Sequence, residues 1–336
     1  MWKDKRYYYV DSYLEETYGY KMYKLALNGG MTCPNRDGRA GNRGCIFCSK
    51  GGSGDFATDP SLSITDQIDE AKTLISSKIN RNDHVGSSVT NFSKPSDSRH
   101  DKDHGNNSVF SVDKPMYIAY FQAYTNTYAP VEYLRKIFYE AINNPCIAIL
   151  SIATRPDCLG DDVIALLNEL NKIKPVWIEL GLQSMHDSTA KFIRRGYKLN
   201  VFERAVEKLN KIHVHIIVHM IIGLPGENND MIYESMRYLA KTPIHGVKLQ
   251  LLHVLKDTML VNYLPSLKIL TLDEYTDIVI HCLEILPQNI VIHRITGDGP
   301  KATLIAPMWS RDKKTVINTI NHKMKELDTW QGKDYF

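Results

Sequence analysis

The sequence predicts an α/β protein: a partial (β/α)6 TIM-like barrel with a C-terminal extension. Apolar strand-like runs alternate with helix-period segments about six times between residues 22 and 255. Several runs are almost continuously apolar, as in Ile216-Ile217-Val218, which suits parallel strands buried on both faces. A cysteine-bearing loop follows the first strand, at the end of the barrel where such folds gather their chemistry.

Residues 1–21 read as an N-terminal extension, in which Met1-Trp2-Lys3-Asp4-Lys5-Arg6 leads into tyrosines rather than an apolar signal core. Met22 to Asn28 reads as the first strand. After the Gly/Ser patch Gly51 to Gly54 comes a helix from Ser63 to Ile79, with Ile64, Ile68, Ala71, Leu74 and Ile75 on one face. Residues 82–114 are rich in Ser, Asn, Asp, His and Lys and read as a disordered insertion; its His84, His100 and His104 lack the spacing of a metal site.

Strands are then expected at Met116–Gln122, Cys146–Ala153, Val176–Leu182, His213–Ile222, Val247–Val254 and Ile290–Ile295. Between them fall helices at Val131–Ile142, at Asp161–Ile173 with Asp161 as N-cap, at Asn200–Ile212 with Asn200 and Glu203 spaced as a capping box, and at Asn229–Lys241. Thr271 and Glu274 cap a helix reaching Leu286, and a last helix runs from Arg311 to Leu327. The barrel is expected over 22–255, with residues 256–336 as a strand/helix extension covering it.

At 336 residues, with 43% hydrophobic and 24% charged positions, the chain has the composition of a soluble globular protein that needs no disulfide staples. Six widely spread cysteines are not a secreted disulfide framework. The most apolar stretch, Val214 to Leu224, is broken by His215 and His219 and is too short to span a bilayer. A reducing cytoplasm and no membrane association are therefore expected. The net charge of +3 is compatible with an RNA or phosphate partner and does not require one.

Cys33, Cys45 and Cys48 carry the chemistry. Eleven residues separate the first two and two the last pair. A closed zinc site or an electron-carrying cluster wants four ligands, whereas three thiolates on a cubane leave one iron open to bind a small molecule. A zinc site completed by a fourth ligand such as His293 is the alternative.

The cysteine loop, Thr32-Cys33-Pro34-Asn35-Arg36-Asp37-Gly38, and the turn Gly223-Leu224-Pro225-Gly226-Glu227 together resemble the radical S-adenosylmethionine (SAM) superfamily. The long first spacing resembles the branch that holds the Elongator catalytic subunit, which acts on tRNA, and the YhcC-like proteins. Tyr120 to Tyr128, Thr154-Arg155-Pro156-Asp157-Cys158, Glu179 to Ser184, Arg194-Arg195-Gly196 and Thr296 to Pro300 narrow the resemblance to the YhcC-like family. It covers the whole chain outside the insertion.

The resemblance implies that Cys33, Cys45 and Cys48 hold a [4Fe–4S] cluster whose open iron binds SAM, and that an electron from a flavodoxin- or ferredoxin-type donor yields a 5′-deoxyadenosyl radical. It implies SAM contacts from Gln122, Tyr124, Thr154, Gln183, Arg195 and His219, and from the Leu224 backbone. Arg195 matches the bidentate carboxylate-binding arginine of the superfamily. Gln122 to Thr125 replaces the usual Gly-Gly turn, and Ala153 stands where related enzymes have Glu. Tyr120, Gln122, Tyr124 and Asn126 would share a face if the strand continues, placing Tyr124 and Asn126 among the catalytic candidates. His293, Arg294, Asp298 and Lys301 read as a substrate-facing rim, with Arg294 a catalytic candidate. Arg155 and Asp157 read as a buried pair closing a turn. Lys313, Lys314, Lys323 and Lys325 on the last helix would steer RNA or simply be solvated.

The branch implies a tRNA substrate, with the carboxymethylaminomethyl group of the wobble uridine converted to aminomethyl. A radical enzyme acting on a small metabolite and a zinc-stabilised RNA-binding module are the rival expectations.

Overall fold

The computed structural model describes residues 2, 5–83, 116–297 and 299–335. The insertion expected at 82–114, with its three histidines, falls almost wholly outside them, as does Asp298. In chain order the strands are β1 (Tyr23–Leu27), β2 (Tyr117–Phe121), β3 (Ile147–Thr154), β4 (Val176–Gln183), β5 (His215–Ile222), β6 (Gly246–Leu251), β7 (Val254–Leu255), β8 (Val291–Arg294) and β9 (Leu304–Ala306). The helices are α1 (Val10–Tyr18), α2 (Ile64–Asp83), α3 (Val131–Asn143), α4 (Asp161–Asn171), α5 (Asp187–Phe192), α6 (Leu199–Lys211), α7 (Asn229–Lys241), α8 (Leu272–Ile285) and α9 (Lys313–Glu326).

Seven parallel strands form one curled half-barrel sheet in the order β1-β2-β3-β4-β5-β6-β8. The expected half-barrel gains a seventh strand: β8, the strand predicted at Ile290–Ile295 in the segment read as a covering extension, pairs with β6 through Gly246–Val291 and Val247–Ile292. The strand expected at Val247–Val254 breaks after Leu251. Its end becomes β7, which pairs antiparallel with β9 apart from the main sheet.

Two helix starts also differ. Gly160, not Asp161, caps α4, and neither Asn200 nor Glu203 caps α6, which begins one residue earlier behind Lys198. The box at Thr271 and Glu274 does form: the Thr271 hydroxyl accepts from Glu274 N, and the Glu274 carboxylate accepts from Thr271 N.

Outside the sheet, α3, α4, α6, α7 and α8 bury their apolar faces on the strands in one large core. Inside it, α1 closes the N-terminal end. Val10 and Leu14 pack on the inward residues Ile118, Ile149, Trp177, Ile217 and Val291. The half-barrel is therefore plugged with apolar side chains at one end and open at the other.

Candidate active site

Side chains two residues apart on a strand face the same way, so each strand adds one residue per layer to the barrel interior. Two positions beyond the apolar plug, the layer turns polar: Tyr120 on β2, Ser151 on β3, Glu179 on β4, His219 on β5 and Lys248 on β6, joined by Lys24 of β1. Two positions further, Gln122, Ala153, Gly181, Ile221 and Gln250 line an open cavity whose floor includes Tyr120, Glu179, His219 and Lys248.

Glu179 is the hub of that floor and is 1% exposed. Its Oε1 accepts from Lys24 Nζ at 2.8 Å and Ser151 Oγ at 3.0 Å. Its Oε2 accepts from His219 Nε2 at 2.7 Å and from Lys248 Nζ. Burial alone would push the Glu179 carboxyl up, but Lys24, Lys248 and His219 together hold it well below the usual range. Burial, reinforced by Lys248, lowers His219 to about 4, so the ring is neutral at pH 7 and its Nε2–H donates to the ionised carboxylate. Lys248 is 3% exposed and is pulled down by the same burial, against the pull of Glu179. Removing either ion would leave its partner buried without compensation.

At the mouth, Cys33, Cys45 and Cys48 line the same cavity. Their loop is tightly braced. Gly44 N donates to Asn35 O at 2.7 Å, Cys48 N to Cys45 O at 3.1 Å, and Ile46 N to Ile193 O at 3.1 Å. Burial pushes the Cys45 thiol up to about 12, partly opposed by Arg155, and raises Cys48 against Arg36. Metal binding would displace these protons. Asn35 Nδ2 lies 3.4 Å from Cys45 Sγ, a hydrogen bond of the kind that tunes a ligating sulfur.

These residues fit an iron–sulfur cluster. Among the described residues, the side chains that bring three ligand atoms within 4.8 Å of one another are the surface group His281, Glu284 and Asp334, not the cysteines. Thiolates sharing one zinc at 2.3 Å would lie about 3.8 Å apart, whereas cluster ligands sit on separate irons. His293, the supposed fourth zinc ligand, packs edge-on against Trp177 at 5.3 Å, beside the plug.

Of the other candidates, Gln122, Tyr124, Thr154, Gln183, Arg195, His219 and Arg294 line the cavity. Gln183 ends β4 with φ 62°, an uncommon backbone for a non-glycine residue. Its amide lies so near Gly181 that a Cβ there would meet Nε2 at 2.5 Å. Gln122 Nε2 donates to Ser53 O at 2.7 Å, which leaves its amide oxygen. Thr127 donates its hydroxyl to Cys158 O at 2.6 Å, so the 2.6 Å contact between Thr127 and Thr154 is donated by Thr154.

Several placements differ from expectation. Four of the five Arg195 N–H groups go to carbonyls: Nη1 donates to Leu182 O at 2.7 Å and Ser184 O at 2.6 Å, and Nε and Nη2 donate to Tyr197 O at 3.2 and 3.1 Å, while Nη2 also lies 3.6 Å from Asp187 Oδ1. It braces the β4–α5 loop and has no free fork for a carboxylate. Tyr124 adopts φ 59° and donates its hydroxyl to Lys50 O, so it braces the cysteine loop. Asn126 is fully buried and not among the cavity-lining residues; its Nδ2 donates to Phe121 O at 3.0 Å and Ala153 O at 2.9 Å. Leu224 packs with Ile46, Ile193 and Leu252 rather than lining the cavity. Arg155 and Asp157 do pair as expected: Arg155 donates to Asp157 through two hydrogen bonds, and it also donates to Arg195 O at 2.9 Å. On α9, Lys323 is paired with Asp277.

Sequence reasoning missed Lys24, Lys248 and the role of Glu179. Their signal is charge embedded at alternate positions of apolar strands, as in Val247-Lys248-Leu249.

Residues 36–239 match the family model described as the radical SAM superfamily, and residues 244–326 match the radical SAM C-terminal domain. The chain belongs to the radical SAM superfamily and, within it, to the YhcC-like group. It is 40% identical to the uncharacterized protein YtqA of Bacillus subtilis, covering 98% of this chain and 93% of that one. It is 30% identical to YhcC of Escherichia coli, covering 93% and 90%. A tRNA uridine(34) acetyltransferase of Methanocaldococcus jannaschii is 25% identical over 56% of this chain and 34% of its own length. Among solved structures, Methanocaldococcus infernus Elp3 shares the fold, with TM-score 0.56 and 17% identity over 65% of this chain and 56% of that one. Among the described residues no helix is long and apolar enough to cross a membrane.

Proposed function

We propose that this chain is a tRNA-modifying radical SAM enzyme that converts the carboxymethylaminomethyl group of wobble uridine to aminomethyl. The observation that carries the reading is a three-thiol loop facing a polar-floored cavity at the open end of the half-barrel. The likeness to a tRNA uridine(34) acetyltransferase supports the substrate class.

Cys33, Cys45 and Cys48 would hold a [4Fe–4S] cluster, with Asn35 donating to Cys45. Cluster and SAM, when bound, supply the hydrogen-abstracting radical chemistry. The chain's part is to seat, orient and desolvate. The apolar plug closes the far end to water. Arg195 and Arg155 fix the loop after β4. Gln122 and Gln183 keep amide groups at the cavity. The methylene beside the substrate carboxylate is the carbon whose C–H bond the neighbouring carboxylate and nitrogen weaken. Partners are the tRNA and a flavodoxin- or ferredoxin-type electron donor.

Nucleoside mass spectrometry of tRNA from cells with and without the gene tests this. Carboxymethylaminomethyluridine should accumulate, and its aminomethyl derivatives should fall, when the gene is deleted. Unchanged wobble nucleosides would end the reading.

A further inference from the structure

We propose that the tRNA docks by its backbone on a basic rim beside the cavity mouth, built by the cysteine loop and the segment that joins α5 to α6. The inference rests on the function proposed above and adds the surface that receives the substrate.

The first observation is local charge. Residues 33–50 hold four Arg or Lys against one Asp, and residues 186–198 again hold four against one. Each segment alone matches the +3 of the whole chain, so the rest of the molecule is acidic on balance. Folding lays the two segments side by side: Ile46 N donates to Ile193 O at 3.1 Å, and Cys45 Sγ lies 3.5 Å from Arg194 O. Like charges gathered this way repel one another unless a polyanion covers them.

The second is that the protein does not use these cations itself. Arg36 and Arg195 are spent inward, on carbonyls. Arg43, Lys50, Lys191, Arg194 and Lys198 are exposed, and among the described residues none of them forms an ion pair. The neighbouring acids are held by backbone N–H groups instead: Asp37 by Arg39 N at 3.2 Å, Asp187 by Leu199 N at 3.0 Å and Asp257 by Lys50 N at 2.9 Å.

The third is aromatic surface among the charges. Phe192 is 42% exposed, with its ring edge-on to Tyr263 at 5.2 Å, and Phe56 is 55% exposed while lining the cavity. Neither phenylalanine belongs to the hydrophobic core. Exposed rings between cations suit an RNA loop, whose unpaired bases stack while its phosphates meet Arg and Lys. An acidic protein would need the cations but not the rings. A base that enters the cavity carries a phosphate on either side, so its backbone has to cross this rim.

The test is fluorescence anisotropy, under anaerobic conditions, of a labelled tRNA transcript titrated with the cluster-loaded enzyme and SAM across a series of salt concentrations. The triple variant Arg43→Ala, Lys191→Ala, Lys198→Ala should bind at least about tenfold more weakly, and the slope of log affinity against log salt should be shallower by about two to three. Lys314→Ala with Lys325→Ala removes exposed charge from α9, which packs on α8, and should leave both quantities unchanged. Wild-type affinity and slope in the triple variant, or an equal loss in the α9 variant, overturns the rim and leaves the tRNA reading standing. Absence of salt-dependent tRNA binding by the wild-type enzyme overturns both. Intact tRNA binding in the triple variant with slowed cluster reduction by a flavodoxin would assign the rim to the electron donor and overturn the proposal.

Discussion

His219 Nε2 lies 2.7 Å from Glu179 Oε2, and the bond joins a ring kept neutral by burial to a carboxylate kept ionised by two lysines. The pair fixes a pH dependence. An unfolded His titrates near 6.5, and this one titrates at about 4 when folded. Between those values the unfolded chain binds more protons than the native one, so stability is full above about pH 6.5 and falls as the solution is acidified toward 4. His215, lowered to about 4 by burial and by His245, adds in the same direction. Each should cost about 2 kcal/mol on going from pH 7 to pH 5. Urea unfolding at the two pH values, at constant ionic strength, measures it. His219→Gln should make the dependence shallower, and identical midpoints at both values would refute the argument.

The half-barrel was legible because buried parallel strands are apolar for most of their length, and β-branched runs such as Ile216-Ile217-Val218 recur between helix-period segments. The strand at Ile290–Ile295 was legible, but not that β8, four residues ending in His293 and Arg294, would join the barrel sheet beside β6. The cap at Thr271 was read correctly and the one at Asn200 was not. A capping box needs its first residue just outside the helix, and α6 takes up Asn200 as a helical residue. The cysteines announced themselves by clustering within sixteen residues. The ionic floor did not: Lys24, Glu179 and Lys248 lie more than 60 residues apart, and barrel curvature alone brings them together. For Arg195, a motif shows an arginine but not the carbonyls of Leu182, Ser184 and Tyr197 that it meets.

Replacing a cysteine separates chemistry from folding. Cys45 Sγ makes two long contacts, accepting from Asn35 Nδ2 at 3.4 Å and donating to Arg194 O at 3.5 Å, so little of the apoprotein fold depends on it. Cys45→Ala should cost about 1 kcal/mol of apoprotein stability. It should also bring iron content after anaerobic reconstitution well below that of the wild type and abolish 5′-deoxyadenosine release. Normal iron content and turnover in this variant would dismiss the three-thiol site.

Arg195 should behave as a brace. Its guanidinium meets the carbonyls of Leu182, Ser184 and Tyr197 while 1% exposed. Lysine has one nitrogen where these acceptors need a fork. Arg195→Lys should therefore lower stability by about 2–4 kcal/mol in denaturant unfolding, through unsatisfied buried carbonyls. If the variant unfolds like wild type and shows only a raised KM for SAM, the guanidinium grips the cofactor instead.

Gly52 and Gly226 make a controlled pair. Both have positive φ, 59° and 82°. A Cβ at Gly226 meets nothing within 4 Å, whereas one at Gly52 would lie 2.2 Å from the Tyr124 ring. Gly226→Ala should therefore show the backbone strain alone, about 1–2 kcal/mol. Gly52→Ala must also push Tyr124 aside. Tyr124 N donates to Gly52 O at 2.8 Å, and the Arg36 guanidinium lies over the ring at 5.3 Å, so the displacement reaches the loop that carries Cys48. Gly52→Ala should lose more stability than Gly226→Ala and take up markedly less iron on reconstitution, while Gly226→Ala takes up the normal amount. Equal stability and equal iron uptake in the two variants would show that the Tyr124 brace does not hold the cysteine loop in place.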